Sequence, residues 1–454
     1  MAKYGKLIRG GVALKKMIKC ICLLVLGATL LSGCTFRTVD EMYRLPKRSE
    51  DYKDLQTAID AALVGSEYCA PLAGEQRQTV QMADLDGDME DEYLLFAKGG
   101  SDLPLRILIF DRLEDAFVHI DTVESSGYAF DSVEYVQMDG NAGVELVVGR
   151  QLNDQVIRSL SVYTFADGQA QQLVSTNYSK FVTTNLDGNQ AAELMVIRPG
   201  ATETDNGIVE LYSVENGNME RSIEANMSAS VDKIKRLLIG KLHNGQGAVY
   251  VASAVGDSAL VTDVYTLVDG SFKNVTFSNE SGTSVKTIRN YYVYADDIDS
   301  DGVVELPCVI PMKHISKAGA SAADQYLIRW YAMTADGGEV DKRYTYHNYV
   351  GGWYLEVDSV LSSRLTVAQR SNDFDFYLWD EAGQNAKKLM TISVLTGQNR
   401  LEQSTADGRM PIYSTESVVY AVNLEDTAAS YMITPQKLRE NFHLIRQDWK
   451  TGET

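Results

Sequence analysis

Asp84-Leu85-Asp86-Gly87-Asp88-Met89-Glu90-Asp91-Glu92, followed by Tyr93-Leu94-Leu95-Phe96, is the stretch whose reading decides the fold. Acids stand at loop positions one, three, five and nine, and an apolar run begins directly afterwards. The pattern returns in full at Asp297-Ile298-Asp299-Ser300-Asp301-Gly302-Val303-Val304-Glu305. Degenerate copies start at Gln137, Asn185 and Lys241, so successive starts lie 53, 48, 56 and 56 residues apart. A recurrence of this kind marks one supersecondary unit stacked several times.

Each loop runs into a short apolar segment: Leu146-Val147-Val148, Leu194-Met195-Val196-Ile197, Val249-Tyr250-Val251, and Leu306 to Ile310 in the later copies. Apolar runs of this length, bounded by turns, read as strands buried on both faces. A second turn follows near Glu114 and at Asp167-Gly168, Asn216-Gly217, Asp269-Gly270 and Asp336-Gly337. Asn-Gly and Asp-Gly between alternating segments signal hairpins, because both turn residues need φ > 0. One unit therefore reads as about four strands, the grammar of a propeller blade. The expected fold class is all-β: a β-propeller with five legible blades over residues 76–352. Six or seven blades follow if residues 45–80 and 353–395 also supply strands.

The loop spacing suits Ca²⁺, a hard cation that takes six to eight oxygens. Candidate ligands are Asp84, Asp86, Asp88 and Glu92 in the first loop, and Asp297, Asp299, Asp301 and Glu305 in the fifth. The third loop offers Asn185, Asp187, Asn189 and Glu193, with amides in place of two acids. The second offers Asp139, Asn141 and Glu145. The fourth, with His243, Asn244 and Gly245, has lost its carboxylates and is expected to be metal-free. Position twelve is Leu95 or Cys308 and strands follow, so these loops are not EF-hands. The alternative reading is an acidic hairpin turn without an ion.

These loops resemble FG-GAP and VCBS-type repeats, although the FG-GAP dipeptides themselves are absent. The resemblance covers roughly residues 76–350 and implies an integrin-like β-propeller with Ca²⁺ on its blade loops. The chain as a whole is similar to propeller-type lipoproteins of Gram-positive bacteria.

The N-terminus reads as a targeting segment. Lys3, Lys6, Arg9, Lys15, Lys16 and Lys19 form a basic region, and Ile21 to Leu31 is apolar but short for a membrane span. Leu31-Ser32-Gly33-Cys34 resembles a bacterial lipobox, so residues 1–33 are expected to be a signal peptide and Cys34 the lipidated residue. This places a soluble domain at the outer face of a cell membrane. Residues 34–48 read as a tether. Residues 49–75 hold a helix with the stripe Tyr52, Leu55, Ile59 and Leu63, plus a lead-in. Residues 353–454 are expected to form a small C-terminal α+β domain. Its strands lie near Ser417–Val422 and Ser430–Ile433, and its last helix is capped by Thr434-Pro435.

Without residues 1–33 the chain holds 36 basic against 62 acidic residues. So acidic a surface argues against nucleic acid as a partner. Cys69 and Cys308 are read as two separate thiols, with a disulfide as the alternative if the ring brings them together. No nucleophile elbow, phosphate loop or zinc-protease motif is present. His347, among aromatics and amides, is the best single catalytic candidate, but a structural role outweighs it. The expected function is a monomeric binding or scaffold module for an extracellular protein or glycan. The alternatives are a polysaccharide lyase or hydrolase on the same scaffold, or an envelope-assembly factor.

Overall fold

The computed structural model describes residues 50–114, 116–153, 157–166, 168–202, 204–222, 224–290, 293–316, 321 and 323–446. The signal peptide, Cys34, the tether, Tyr291-Tyr292 and Asp167 of the second hairpin turn lie outside the described residues. The chain divides into two compact units, one of residues 1–61 with 113–117, the other of 62–112 with 118–454. In the first, the helix α1 (Glu50–Ala62) buries Leu55 and Ile59 of the expected stripe.

The second unit is built from antiparallel sheets in chain order. The first holds β1 (Ser66–Tyr68), β2 (Val80–Ala83), β3 (Glu92–Gly99), β4 (Leu105–Leu113) and β5 (Ala116–Ser125). The second holds β6 (Ala129–Val136), β7 (Glu145–Gln151), β8 (Arg158–Ala166) and β9 (Gln169–Tyr178). The third holds β10 (Lys180–Thr184), β11 (Glu193–Arg198), β12 (Ile208–Glu215), β13 (Asn218–Arg221) and β14 (Ala225–Asn226). The fourth holds β15 (Ile234–Lys241), β16 (Gly247–Val255), β17 (Ala259–Val268) and β18 (Ser271–Asn274). The fifth holds β19 (Glu305–Pro311), β20 (Tyr326–Met333), β21 (Glu339–Asn348) and β22 (Trp353–Val357). The sixth runs β23 (Leu365–Arg370), β24 (Asp373–Trp379), β25 (Ala386–Thr396), β27 (Val418–Leu424), β26 (Met410–Ser414). A last strand, β28 (Phe442–Leu444), returns to pair with β22 of the fifth sheet.

The apolar runs are continuous because both faces of each inner strand are covered. Side chains alternate along a strand. Leu146 and Val148 of β7 therefore pack with Leu94, Phe96 and Ile107 of the first sheet, while Val147 packs with Leu194 and Val196 of the third. Met195 and Ile197 of β11 turn the other way, onto Val249 and Val251 of the fourth sheet. Ala248 and Tyr250 of β16 then meet Leu306 and Tyr331 of the fifth. Each fully buried Leu, Ile or Val contributes about 1.5–3 kcal/mol. A one-residue slip in any inner strand exchanges its two partners. The result is an all-β, propeller-like succession of face-to-face sheets.

Two of the expected hairpin turns take the conformation their sequences demand, whereas at Asp336-Gly337 only Gly337 has positive φ, 81°, inside a longer loop that joins Met333 to Glu339. Asn216-Gly217 has φ of 51° and 75°, and Asp269-Gly270 has 50° and 72°. Each is a two-residue loop, joining Glu215 to Asn218 and Val268 to Ser271.

In the C-terminal stretch, residues 353–395 do supply strands, and β24 pairs with β25 inside the sixth sheet. The boundary expected at 353 falls at the first residue of β22. Tyr346, Trp353 and Leu355 of the fifth sheet share one core with Leu365, Phe376 and Leu389 of the sixth. The strand expected over Ser430–Ile433 is instead a 3₁₀ segment, Asp426–Tyr431, closed by Met432 with φ of 55°. Its small residues, Ala428-Ala429-Ser430, offer little side chain for a sheet to cover. The helix α2 (Pro435–Asn441) is capped as its sequence indicates: the Thr434 hydroxyl accepts the Lys437 N–H.

Candidate metal centres

The acidic loops occupy one place in the fold. In the first three sheets, the loop leads into the inner strand that follows it: β2 to β3, β6 to β7 and β10 to β11. In the fifth, Asp296 bridges Glu305 across the same loop. The acid at position nine opens the inner strand and is buried each time: Glu92, Glu145, Glu193 and Glu305. It turns back to accept the backbone N–H of loop position two, seven residues earlier. The donors are Leu85, Met138, Leu186 and Ile298, at 2.6, 2.6, 2.8 and 3.1 Å. In the fourth loop, where no acid is present, the Leu242 N–H goes to the Gln246 carbonyl instead. Position nine therefore closes the loop as well as offering an oxygen. Its appearance in four of five copies was the only sequence signal of this role.

Two loops gather carboxylates. Asp84, Asp86 and Glu92 each bring an oxygen within 4.8 Å of the others, and so do Asp297, Asp299 and Glu305. Asp88 and Asp301 stand outside these groups. Asp88 is exposed and accepts the Glu90 N–H, while Asp301 accepts the Val303 N–H and pairs with Lys342 at 2.7 Å. Glu92 Oε1, Asp299 Oδ1 and Glu305 Oε1 are buried without a hydrogen-bond partner. Burial, with the negative charges of nearby Asp86, Asp111 and Asp88, pushes the Glu92 carboxyl up to about 7. Burial and neighbouring Asp299 do the same to Glu305, also to about 7, against the opposing pull of Lys342. An orphaned carboxylate oxygen in a low-dielectric site is costly unless a cation meets it. The acidic groups could thus form a metal-binding site, and the all-oxygen donor set fits a hard divalent cation.

The two acidic loops differ in their surroundings. Around Glu92 the charged groups that act on it are all acidic. The fifth loop has cations at hand: Lys342 lies 3.9 Å from Glu305 Oε1, and Arg343 lies 3.6 Å from Asp299 Oδ2. Part of that loop's charge is already met by the protein.

The second and third loops satisfy themselves. Gln137 and Asn185 at position one use their amide oxygens for the N–H of Gly140 and Gly188. Their amide nitrogens donate across the loop to the carbonyl oxygens of Asn141 and Asn189. The Asn141 and Asn189 amides in turn donate to Asp139 and Asp187, at 2.6 and 2.7 Å. The Thr164 hydroxyl supplies Glu145 Oε1. These amide N–H groups hold the oxygens of the loop inward.

The other sequence candidates have structural settings. His347 is buried against the rings of Trp330, Tyr349 and Tyr354 at 6.1, 5.6 and 5.1 Å. Burial lowers its pKa to about 3, so the ring stays neutral at physiological pH. Tyr294, Trp330 and Tyr331, which flank the fifth loop, are buried in the core. Cys69 and Cys308 are both free thiols, packed at the margins of different core clusters.

The sequence matches no family model and no curated protein. Among solved structures, the chain is similar to a protein from Lactobacillus plantarum, with TM-score 0.26, 13% identity, and coverage of 70% of this chain and 86% of that one. It is also similar to the exotype rhamnogalacturonan lyase YesX, with TM-score 0.28, 13% identity, and coverage of 72% and 65%. A third is a Bacillus licheniformis rhamnogalacturonan lyase, with TM-score 0.27, 11% identity, and coverage of 71% and 72%. At these scores the likenesses assign no activity to this chain. Among the described residues, no helix is long and apolar enough to cross a membrane.

Proposed function

We propose that this protein is a lipid-anchored, extracytoplasmic binding module whose β-propeller is stapled by Ca²⁺ at its first and fifth repeat loops. The observation that carries the metal reading is the pair of three-carboxylate groups with orphaned buried oxygens, Glu92 Oε1 in one and Glu305 Oε1 in the other. Asp84, Asp86 and Glu92 hold the first ion, and Asp297, Asp299 and Glu305 hold the second. The second and third loops keep their shape through amides and bind more weakly or not at all. The bound ions neutralise part of a strongly acidic chain and fix each loop against its neighbour. The anchor rests on the lipobox ending at Cys34. The partner is an extracellular protein or glycan, since a fold of this kind does not choose between them.

For the lyase or hydrolase reading, the single candidate His347 is walled in by aromatic rings and held neutral. Calorimetric titration of Ca²⁺ into the EDTA-stripped chain tests the proposal. Two sites with a clear rise in melting temperature support it. No heat of binding and an unchanged melting temperature reduce the loops to acidic turns.

A further inference from the structure

We propose that the cavity at the seam of the fifth and sixth sheets is an anchor pocket for an acidic peptide segment of a protein partner. One apolar side chain of that segment fills the floor, and a neighbouring carboxylate meets Arg364. The inference rests on the binding-module reading above and deepens it, choosing a protein over a glycan. The cavity is about 530 Å³ in volume, within the span of ligand pockets, about 300–1,000 Å³. Residues from the end of β19, the start of β20 and β23, and the end of β24 line it. Glu305 opens β19 and Ile310 lies near its other end, so the cavity stands roughly 17 Å along the strand from the fifth acidic loop.

The floor is the open end of a core. Leu327 and Leu365 belong to the cluster that joins the two sheets, and Ile310 and Met312 pack against it half-buried. These side chains offer no hydrogen-bond donor, so a sugar ring seated on them would lose water from its hydroxyls without replacement. The Trp379 ring is already engaged by the Lys313 ammonium, 4.3 Å from its centroid, so that face is not open for a sugar to stack on. An apolar side chain gains its own burial there at no such cost.

The polar side of the lining supplies a free cation. Arg364 is half-buried, and its guanidinium makes no hydrogen bond or ion pair among the described residues. None of its nitrogens is sealed from solvent. Exposed Lys313 donates to the Gly383 carbonyl and retains two more N–H donors. Of the two acids on the lining, Asp380 is spent on its own turn, accepting the Gln384 and Asn385 N–H groups at 2.7 and 3.2 Å, and Glu381 is exposed. A reachable guanidinium with no counter-charge matches a carboxylate with two parallel N–H···O bonds. In a chain with 62 acidic against 42 basic residues, it selects an acidic segment that most of the surface repels.

A random heptapeptide pool displayed on phage is selected on the full chain, with EDTA in one series and Ca²⁺ in the other. Enrichment of sequences that set an apolar residue beside Asp or Glu is the expected result. The enriched peptide, as a fluorescein conjugate, is then titrated into the parent chain and Arg364→Gln. Arg364 has no partner within the protein, so its replacement removes no internal bond and the melting temperature is expected to hold. Arg364→Gln is expected to weaken peptide binding at least about tenfold, the loss of one charge-assisted pair. No enrichment in either series, enrichment without an acid, or equal affinity of Arg364→Gln each overturns the proposal. A glycan array that binds the parent chain but not Arg364→Gln, with no peptide enriched, makes the occupant a glycan and also overturns it. Ca²⁺ binding with no enriched peptide sinks this pocket alone, and peptide binding in both series with no Ca²⁺ bound sinks the metal staple alone.

Discussion

The backbone N–H of Val144 donates to the carbonyl oxygen of Asp84 at 3.1 Å, tying position eight of the second loop to position one of the first. The same bond joins Ala192 to Gln137 at 2.8 Å and Val304 to Lys241 at 3.0 Å. Neighbouring loops are therefore linked through the backbone whatever their side chains.

That contact is close enough to exclude side chains. A Cβ on Gly87 would lie 2.3 Å from the Ala142 Cβ, and Gly87 has φ of 80°. Gly188, with the same φ of 80°, has nothing within 4 Å of its added Cβ. Gly188→Ala thus reports backbone strain alone, about 1–2 kcal/mol. Gly87→Ala adds the clash and is expected to cost at least about 1 kcal/mol more. Denaturant unfolding of both variants measures the difference, and equal costs would mean that the loops do not pack as described.

On the proposed Ca²⁺ reading, loss of an acid from either complete loop is expected to remove its ion's contribution. At millimolar Ca²⁺ and a dissociation constant near 0.1 mM, one site adds about 1.4 kcal/mol. Asp86→Asn and Asp299→Asn are each expected to lose about that much of the Ca²⁺-dependent stability. In EDTA both are expected to match the parent chain or exceed it. Thermal unfolding with and without Ca²⁺ checks this.

On the proposed Ca²⁺ reading, Lys342 is expected to compete with the cation for the fifth loop, through its 2.7 Å pair with Asp301 and its approach to Glu305. Lys342→Met is expected to tighten the weaker Ca²⁺ site by up to about fivefold, since a partly exposed pair is worth at most about 1 kcal/mol. The tighter site, at Asp84, Asp86 and Glu92, keeps its affinity. Titration of the variant showing both sites unchanged would remove Lys342 from the metal site.

Acid affects the metal-free and metal-bound forms in opposite ways. Glu92 and Glu305 rise from 4.5 to about 7 on folding, so the unfolded chain gives up these protons first. Below pH 4.5 both states hold the protons and there is no effect. As pH rises from 4.5 to 7 the folded state loses stability, and above 7 the loss is complete. The metal-free protein is therefore expected to gain stability on acidification from pH 7.5 to 5.5. Ca²⁺ affinity falls over the same interval, because the ligands must be deprotonated. Melting curves in EDTA and in Ca²⁺ across this range are expected to converge at the acid end.

The sequence by itself determined the features that depend on near neighbours in the chain. The repeat, the turn conformations at Asn216-Gly217 and Asp269-Gly270, the cap at Thr434 and the two-faced burial of Leu146-Val147-Val148 are local. Each follows from side-chain period or backbone sterics over a few residues. The sequence showed which loops carry acids or amides, and the tertiary structure alone decided how each loop uses them. Gln137 and Asn185 turn amide donors inward where Asp84 and Asp297 leave carboxylates facing one another. Lys342, 41 residues beyond Asp301, supplies a charge no loop spacing could announce. Phe442–Leu444 joins the fifth sheet, far from it in sequence, because Trp353 stacks on Phe442 with ring centroids 5.3 Å apart. Electrostatic environment and strand partnership are set by groups distant along the chain, and these come together only when the sheets stack.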